Sequence, residues 1–146
     1  MSDVTEAEML PGGGRANARF RAVLNAVVPE GVALDDDEWR EAQAIIGRAL
    51  TTRSLTVRRQ IALFMLMLDA MSAVRNRRRF TALPAADAAQ LLEALSKSKL
   101  LLLRRGVWGV RTLAFMGYYA RASAAQAIGY HASAAGWAVR RKVGNR

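Results

Sequence analysis

Apolar residues recur at helical spacing along most of this chain, and no stretch alternates apolar and polar residues as a half-buried strand does. The first such stripe follows i, i+3, i+4, i+7 and i+8 spacing and consists of Phe20, Val23, Leu24, Val27 and Val28. The length of 146 residues suits one domain, and a hydrophobic fraction of 52% allows a buried core. We therefore predict an all-α protein with a single compact domain of five or six helices.

Turn and capping residues divide the chain into segments. The predicted helices cover about 15–28, a segment beginning at the acidic run 35–38, a segment beginning at Ser54 or Thr56, about 85–98, 100–119 and 122–128. Residues 1–14, which contain Pro11 and three glycines, are expected to form a flexible N-terminal tail. The helical domain is predicted to span residues 15–130, and residues 131–146 to form a basic C-terminal tail.

The third predicted helix carries an unbroken apolar run from Ile61 to Met67. Leu68, Ala70 and Met71 extend this run around Asp69, so that the helix is apolar on every side. Such a helix is expected to be the central, most buried one. The apolar segment is shorter than the ~20 residues that span a bilayer. We interpret its methionines as core-filling side chains rather than as a binding surface.

The charge of the chain is unevenly distributed. The formal net charge is +10, from 22 Lys and Arg against 12 Asp and Glu, and every acid lies at or before Glu93. Residues 94–146 carry ten basic residues and no acid. A paired-carboxylate active site therefore cannot lie in this C-terminal region, and its charge favours an anionic partner.

Several kinds of reactive site are excluded or disfavoured by composition. The chain has no cysteine and only one histidine, His131, which we interpret as an ordinary surface residue. The acidic run 35–38 is interpreted as the start of a helix rather than as a cation site. The basic run 75–79 is interpreted as a solvated helix C-terminus, with an anion-binding patch as the alternative. We expect no catalytic, cofactor-binding or metal-binding residue, and therefore no enzyme activity, in this chain.

The segment 100–119 interleaves arginines and aromatic residues. Arg104, Trp108, Arg111 and Phe115 fall on one stripe of a helix, and Arg105, Tyr118 and Tyr119 lie beside it. We predict these seven residues as a partner-binding surface. The alternative is a helix that buries most of its circumference while the long arginine stems reach water.

Several short motifs of this chain resemble motifs of the gluconate 2-dehydrogenase subunit 3 family and occur in the same order as they do there. The similar segments are 20–29, Phe80-Thr81-Ala82-Leu83-Pro84, Leu91-Leu92, Ser98-Lys99-Leu100 with Arg104-Arg105, 113–119, and Ile128-Gly129-Tyr130 with Trp137. Together they cover most of residues 19–137. The chain departs from the family pattern at Leu101 and His131, where prolines are usual, and it lacks the twin-arginine leader of exported members.

The resemblance implies a non-catalytic small subunit. Its partner would be a large FAD-dependent oxidoreductase of the glucose–methanol–choline class, which this chain would bind, stabilise or help to mature. FAD would reside in that partner and not in this chain. The missing leader predicts a cytoplasmic location. Two alternatives remain at this point: a basic helical nucleic-acid binder that uses residues 94–146, and a peripheral membrane protein held by the same basic, apolar region. We disfavour nucleic acid because no recognition-helix motif is visible.

Overall fold

A computed structural model describes residues 13–127 and 129. Within these residues the chain forms helices and no strand, which confirms the predicted all-α class. The helices are α1 Gly13–Val27, α2 Asp36–Thr51, α3 Leu55–Asn76, α4 Ala85–Ser96, α5 Leu101–Tyr119 and α6 Ala122–Ala127. Short 3-10 turns at Pro29–Ala33 and Phe80–Ala82 precede α2 and α4. The predicted helix boundaries agree with these to within a few residues. The main differences are that α1 begins at Gly13, inside the predicted tail, and that α4 ends at Ser96.

The acidic run 35–38 starts α2 by a reciprocal capping arrangement. The Glu38 backbone N–H donates to the Asp35 side chain at 2.8 Å, and the Asp35 backbone N–H donates to Glu38 Oε2 at 3.1 Å. This capping box satisfies two N–H groups that the first turn leaves unpaired, and the negative charge suits the positive end of the helix. The interpretation of this run as a helix start is confirmed.

The basic run 75–79 surrounds the C-terminus of α3. The helix ends at Asn76, and Arg77 has the left-handed conformation (φ 55°) that often closes a helix. The buried Ser72 hydroxyl donates to the Arg78 carbonyl at 2.7 Å and ties the turn to the helix. Arg77, Arg78 and Arg79 are exposed. The predicted solvated helix C-terminus is confirmed.

The central helix is α5, which packs against α1, α2, α3, α4 and α6. Its inner face buries Val107, Val110, Leu113, Ala114 and Gly117. The close approach of α5 to α2 depends on Gly117, because a Cβ there would lie 2.8 Å from the Ile46 side chain. Around this helix the core contains apolar residues of the other helices, including Phe20, Leu24, Trp39, Ile46, Leu91, Leu92 and Leu95.

The prediction that the third helix is the most buried one is wrong. One face of α3 is buried through Phe64, Met65, Leu68 and Ser72, with Met67 and Met71 packed partly against the core, as expected for core-filling methionines. The opposite face is exposed, with Leu63 67%, Leu66 52% and Val74 86% accessible. This face is exposed because α3 packs mainly against α5, the Phe80–Ala82 turn and α1, which cover only one side of the helix.

Some predictions concern residues outside the described ranges. These are the C-terminal tail, most of the N-terminal tail, His131 and the motif residues Ile128, Tyr130 and Trp137. Gly129 is described and has a φ of 68°, as expected after a helix end. Among the described helices, none has both the length and the apolar character needed to cross a bilayer.

Candidate functional site

The solvent-facing side of α5 combines apolar, aromatic and cationic side chains. We call this surface the α5 outer face; its exposed residues are Leu101, Leu102, Arg104, Arg105, Trp108, Thr112, Phe115, Met116 and Tyr119. It forms because the small and aliphatic residues of α5 recur at helical spacing on the opposite side, where they enter the core. No acidic residue occurs in α5, so the outer face carries only positive charge.

Five of the seven predicted partner-binding residues lie on the α5 outer face. Trp108 is 74% accessible, Phe115 41% and Tyr119 42%, and Arg104 and Arg105 are exposed beside them. No described acid lies within ion-pair distance of either arginine. These exposed side chains leave one whole side of α5 uncovered by the described fold. The docking role itself stays a prediction.

The aromatic residues at the C-terminal end of α5 contact one another. The Phe115 and Tyr119 rings are stacked with centroids 6.1 Å apart, and the Tyr118 ring meets Tyr119 edge to face at 5.0 Å. The last turn of the helix therefore presents a preordered aromatic cluster. Such rings bury a large apolar area at low conformational cost when a partner covers them.

A buried arginine anchors this aromatic cluster. The Arg121 side chain is only 3% accessible, and its guanidinium lies 4.6 Å from the centroid of the Tyr118 ring. It donates to the Tyr118 carbonyl at 3.1 Å and to Glu38 Oε1 at 3.1 Å. Glu38 therefore both caps α2 and holds the end of α5. Tyr118 is half-buried, so it supports the neighbouring exposed rings more than it contributes to the exposed surface itself.

Arg111 lies at the edge of the surface, next to α4. It is half-buried and lines a shallow depression with Glu93 and Lys97. Lys97 pairs with Glu93 at 3.0 Å, and this hydrogen bond is the main cause that lowers the pKa of Glu93, with a smaller contribution from Arg111. The positive charge of Arg111 is thus partly offset by Glu93, unlike that of Arg104 and Arg105.

A second exposed surface was missed by sequence reasoning. The side of α3 that faces away from the core, which we call the α3 outer face, carries Leu55, Ala62, Leu63, Leu66, Ala70, Ala73 and Val74. Between α3 and α5 lies a groove of about 320 Å³, whose walls include Leu63, Phe64 and Leu102. No sequence signal distinguishes these features, because an apolar side chain that lines a groove and one that lies in the core belong to the same residue types.

The α5 outer face offers groups suited to binding. No cluster of three or more metal-binding side chains occurs among the described residues. Arg19 and Asp69 form a largely buried ion pair at 2.6 Å that joins α1 to α3. The chemistry that the surface can supply is therefore aromatic stacking, apolar burial and attraction of negative charge.

Comparison with known proteins does not assign a family. No protein-family model matches the sequence, and neither the curated proteins nor the solved structures yield a significant match.

Proposed function

We propose that this chain is a non-catalytic small subunit that binds a FAD-dependent oxidoreductase of the glucose–methanol–choline class, and that it docks through the α5 outer face. The ordered resemblance to the gluconate 2-dehydrogenase subunit 3 family supports the identity of the partner. The exposure of Trp108 beside two arginines that have no described acidic partner supports the location of the contact. FAD and the redox chemistry belong to the partner.

The exposure of Trp108 is the single observation on which the proposed docking surface depends. Tryptophan, tyrosine and arginine are the residues most enriched among those that dominate binding energy, and here they share one face of a rigid helix. Charged residues at the rim of such a contact steer a partner of opposite charge more than they add affinity. The α5 outer face therefore suits an acidic partner surface with an apolar centre that receives Trp108.

The experiment is affinity capture with the full chain from its own cells, with mass spectrometry to identify whether a flavin-binding oxidoreductase co-purifies. Replacing Trp108 or Tyr119 by Ala is expected to weaken the complex by about 2 kcal/mol, which is roughly 30-fold in Kd, for a central anchor. Val74→Ala, at an 86% exposed position on α3, is the matched control and is expected to leave the complex unchanged. If both aromatic variants co-purify as well as the unchanged chain does, the α5 outer face is not the contact.

The two alternatives predict different results with the purified chain. A nucleic-acid binder would retain random duplex DNA at about 150 mM salt and lose it steeply as salt rises. A peripheral membrane protein would float with anionic vesicles in a density gradient. The proposed subunit is expected to do neither, and to capture a protein with a flavin absorption spectrum.

A further inference from the structure

We propose that the groove between α3 and α5 binds a single unbranched aliphatic chain that carries an anionic head group. The chain would lie between the two helices, and the head group would meet Arg105 at the rim. The groove shares Leu102 and Arg105 with the α5 outer face. The two proposals are nevertheless tested independently, because the purified chain without any protein partner would show the binding.

The shape of the groove comes from two glycines on α5. Gly106 packs directly against the Phe64 ring, so that a Cβ there would collide with the ring and the helices approach closely. Three residues later, Gly109 has no atom within 4 Å of the position of a Cβ, so that open space remains above its backbone. Close packing at one glycine and open space at the next leave a groove of about 320 Å³ that both glycines line.

The walls of the groove are apolar along their length. Val57, Leu63 and Met67 contribute from α3, and Leu102 and Leu103 from α5. Val57 and Met67 are separated by a rise of about 15 Å along the helix, so the groove runs lengthwise between helices. Its volume falls at the lower end of the range of about 300–1,000 Å³ typical of small-molecule sites. A slim aliphatic chain suits these dimensions, whereas a helix about 10 Å across needs a wider groove.

The charge at the groove favours an anionic head group. Arg105 is the only charged residue among those that line it, and Gln60 is the only other polar side chain. Arg105 is exposed and has no described acid within ion-pair distance. Its guanidinium is therefore free to pair with a carboxylate or a phosphate, both of which fit its planar donor geometry.

The experiment is calorimetric titration of the full chain with octanoate, decanoate and dodecanoate below their micelle-forming concentrations. Each added methylene is expected to tighten binding about fourfold while the chain still enters the groove. The expected stoichiometry is one ligand per protein. Dodecanol, which has the same chain without the charge, is expected to bind more weakly than dodecanoate.

Two pairs of variants locate the site. Gly109→Leu places a side chain in the open space and is expected to weaken dodecanoate binding at least tenfold. Ala62→Leu adds the same side chain on the α3 outer face and is expected to leave binding unchanged. Arg105→Gln is expected to weaken dodecanoate binding but not dodecanol binding. Arg104→Gln, on the neighbouring exposed arginine outside the groove, is expected to affect neither. Circular dichroism checks that each variant keeps its helical content.

Three outcomes would overturn the proposal. The first is no saturable binding of any of the three carboxylates. The second is equal dodecanoate affinity for the folded Gly109→Leu variant and the unchanged chain. The third is flotation with phosphatidylglycerol vesicles in the absence of monomer binding, which would assign this region to a membrane surface instead.

Discussion

The two longest helices, α3 and α5, are both rich in apolar residues, yet they differ in how many other helices pack against them. α5 carries arginines within its apolar sequence and is nevertheless the helix that packs against every other described α-helix. α3 has the longer unbroken apolar run, and it leaves Leu63, Leu66 and Val74 exposed. The apolar content of a helix therefore sets how much surface it can bury, whereas the position of its neighbours sets how much it does bury.

The largest expected effect separates the two faces of α3. Leu68 is 1% accessible and Leu66 is 52% accessible on the same helix. Leu68→Ala is expected to lower the free energy of unfolding by about 2–5 kcal/mol, because it opens a cavity in the core. Leu66→Ala is expected to change it by less than about 0.5 kcal/mol. Urea denaturation of both variants measures the difference, and equal losses would mean that α3 is buried on both faces.

The next prediction concerns the glycines where α5 meets α3. Gly106→Ala places a methyl group against the Phe64 ring and is expected to destabilise the fold by about 1–3 kcal/mol. Gly109→Ala meets open space and is expected to stabilise it by up to about 1 kcal/mol, since alanine is the better helix former. Thermal and urea unfolding of the pair should show shifts of opposite sign. Shifts of the same sign would contradict the close approach at Gly106.

A third prediction tests how the C-terminal end of α5 is held. Arg121→Met removes the buried hydrogen bonds to Glu38 and to the Tyr118 carbonyl, and we expect a loss of about 1–2 kcal/mol because Glu38 remains partly solvated. Arg40→Met removes an exposed pair with Asp37, whose side chains are 70% and 83% accessible, and should cost less than about 0.5 kcal/mol. Chemical denaturation compares the two variants. A loss at Arg121 no larger than that at Arg40 would show that this anchor contributes little.

The smallest expected effect lies at the α4 edge of α5. The Lys97 hydrogen bond holds the pKa of Glu93 below its usual value. The interaction therefore stabilises the fold when the pH is above the usual pKa of a glutamate. This small contribution is lost as the pH falls through the lower, folded-state pKa. Lys97→Gln is expected to return the pKa of Glu93 toward its usual value. Lys99→Gln is expected to leave the pKa of Glu93 lowered, as in the unchanged chain. NMR titration of the Glu93 carboxyl measures both, and an unchanged pKa in Lys97→Gln would contradict the pairing.

Much of the local structure was predictable because it depends on interactions between near neighbours in sequence. The capping box of Asp35 and Glu38, the Ser54 cap of α3 and the helix end at Arg77 are each set by a few adjacent residues. The same holds for the buried faces of α1 and α4, since one stripe of apolar residues is flanked by polar ones. Five of the seven residues predicted as a partner-binding surface lie exposed on the α5 outer face, while their docking role stays a prediction.

The helical class, the capping residues and the positive charge of the C-terminal region follow from the amino-acid sequence, because residue spacing and composition act locally. Only the tertiary structure decided that α5 is central, that α3 leaves one apolar face exposed, and that Arg121 is buried against Glu38 across 83 residues. It also decided that Gly106 permits close packing while Gly109 leaves a groove. These features depend on which helices become neighbours, and a helix that is apolar on every side does not specify which of its faces will be covered.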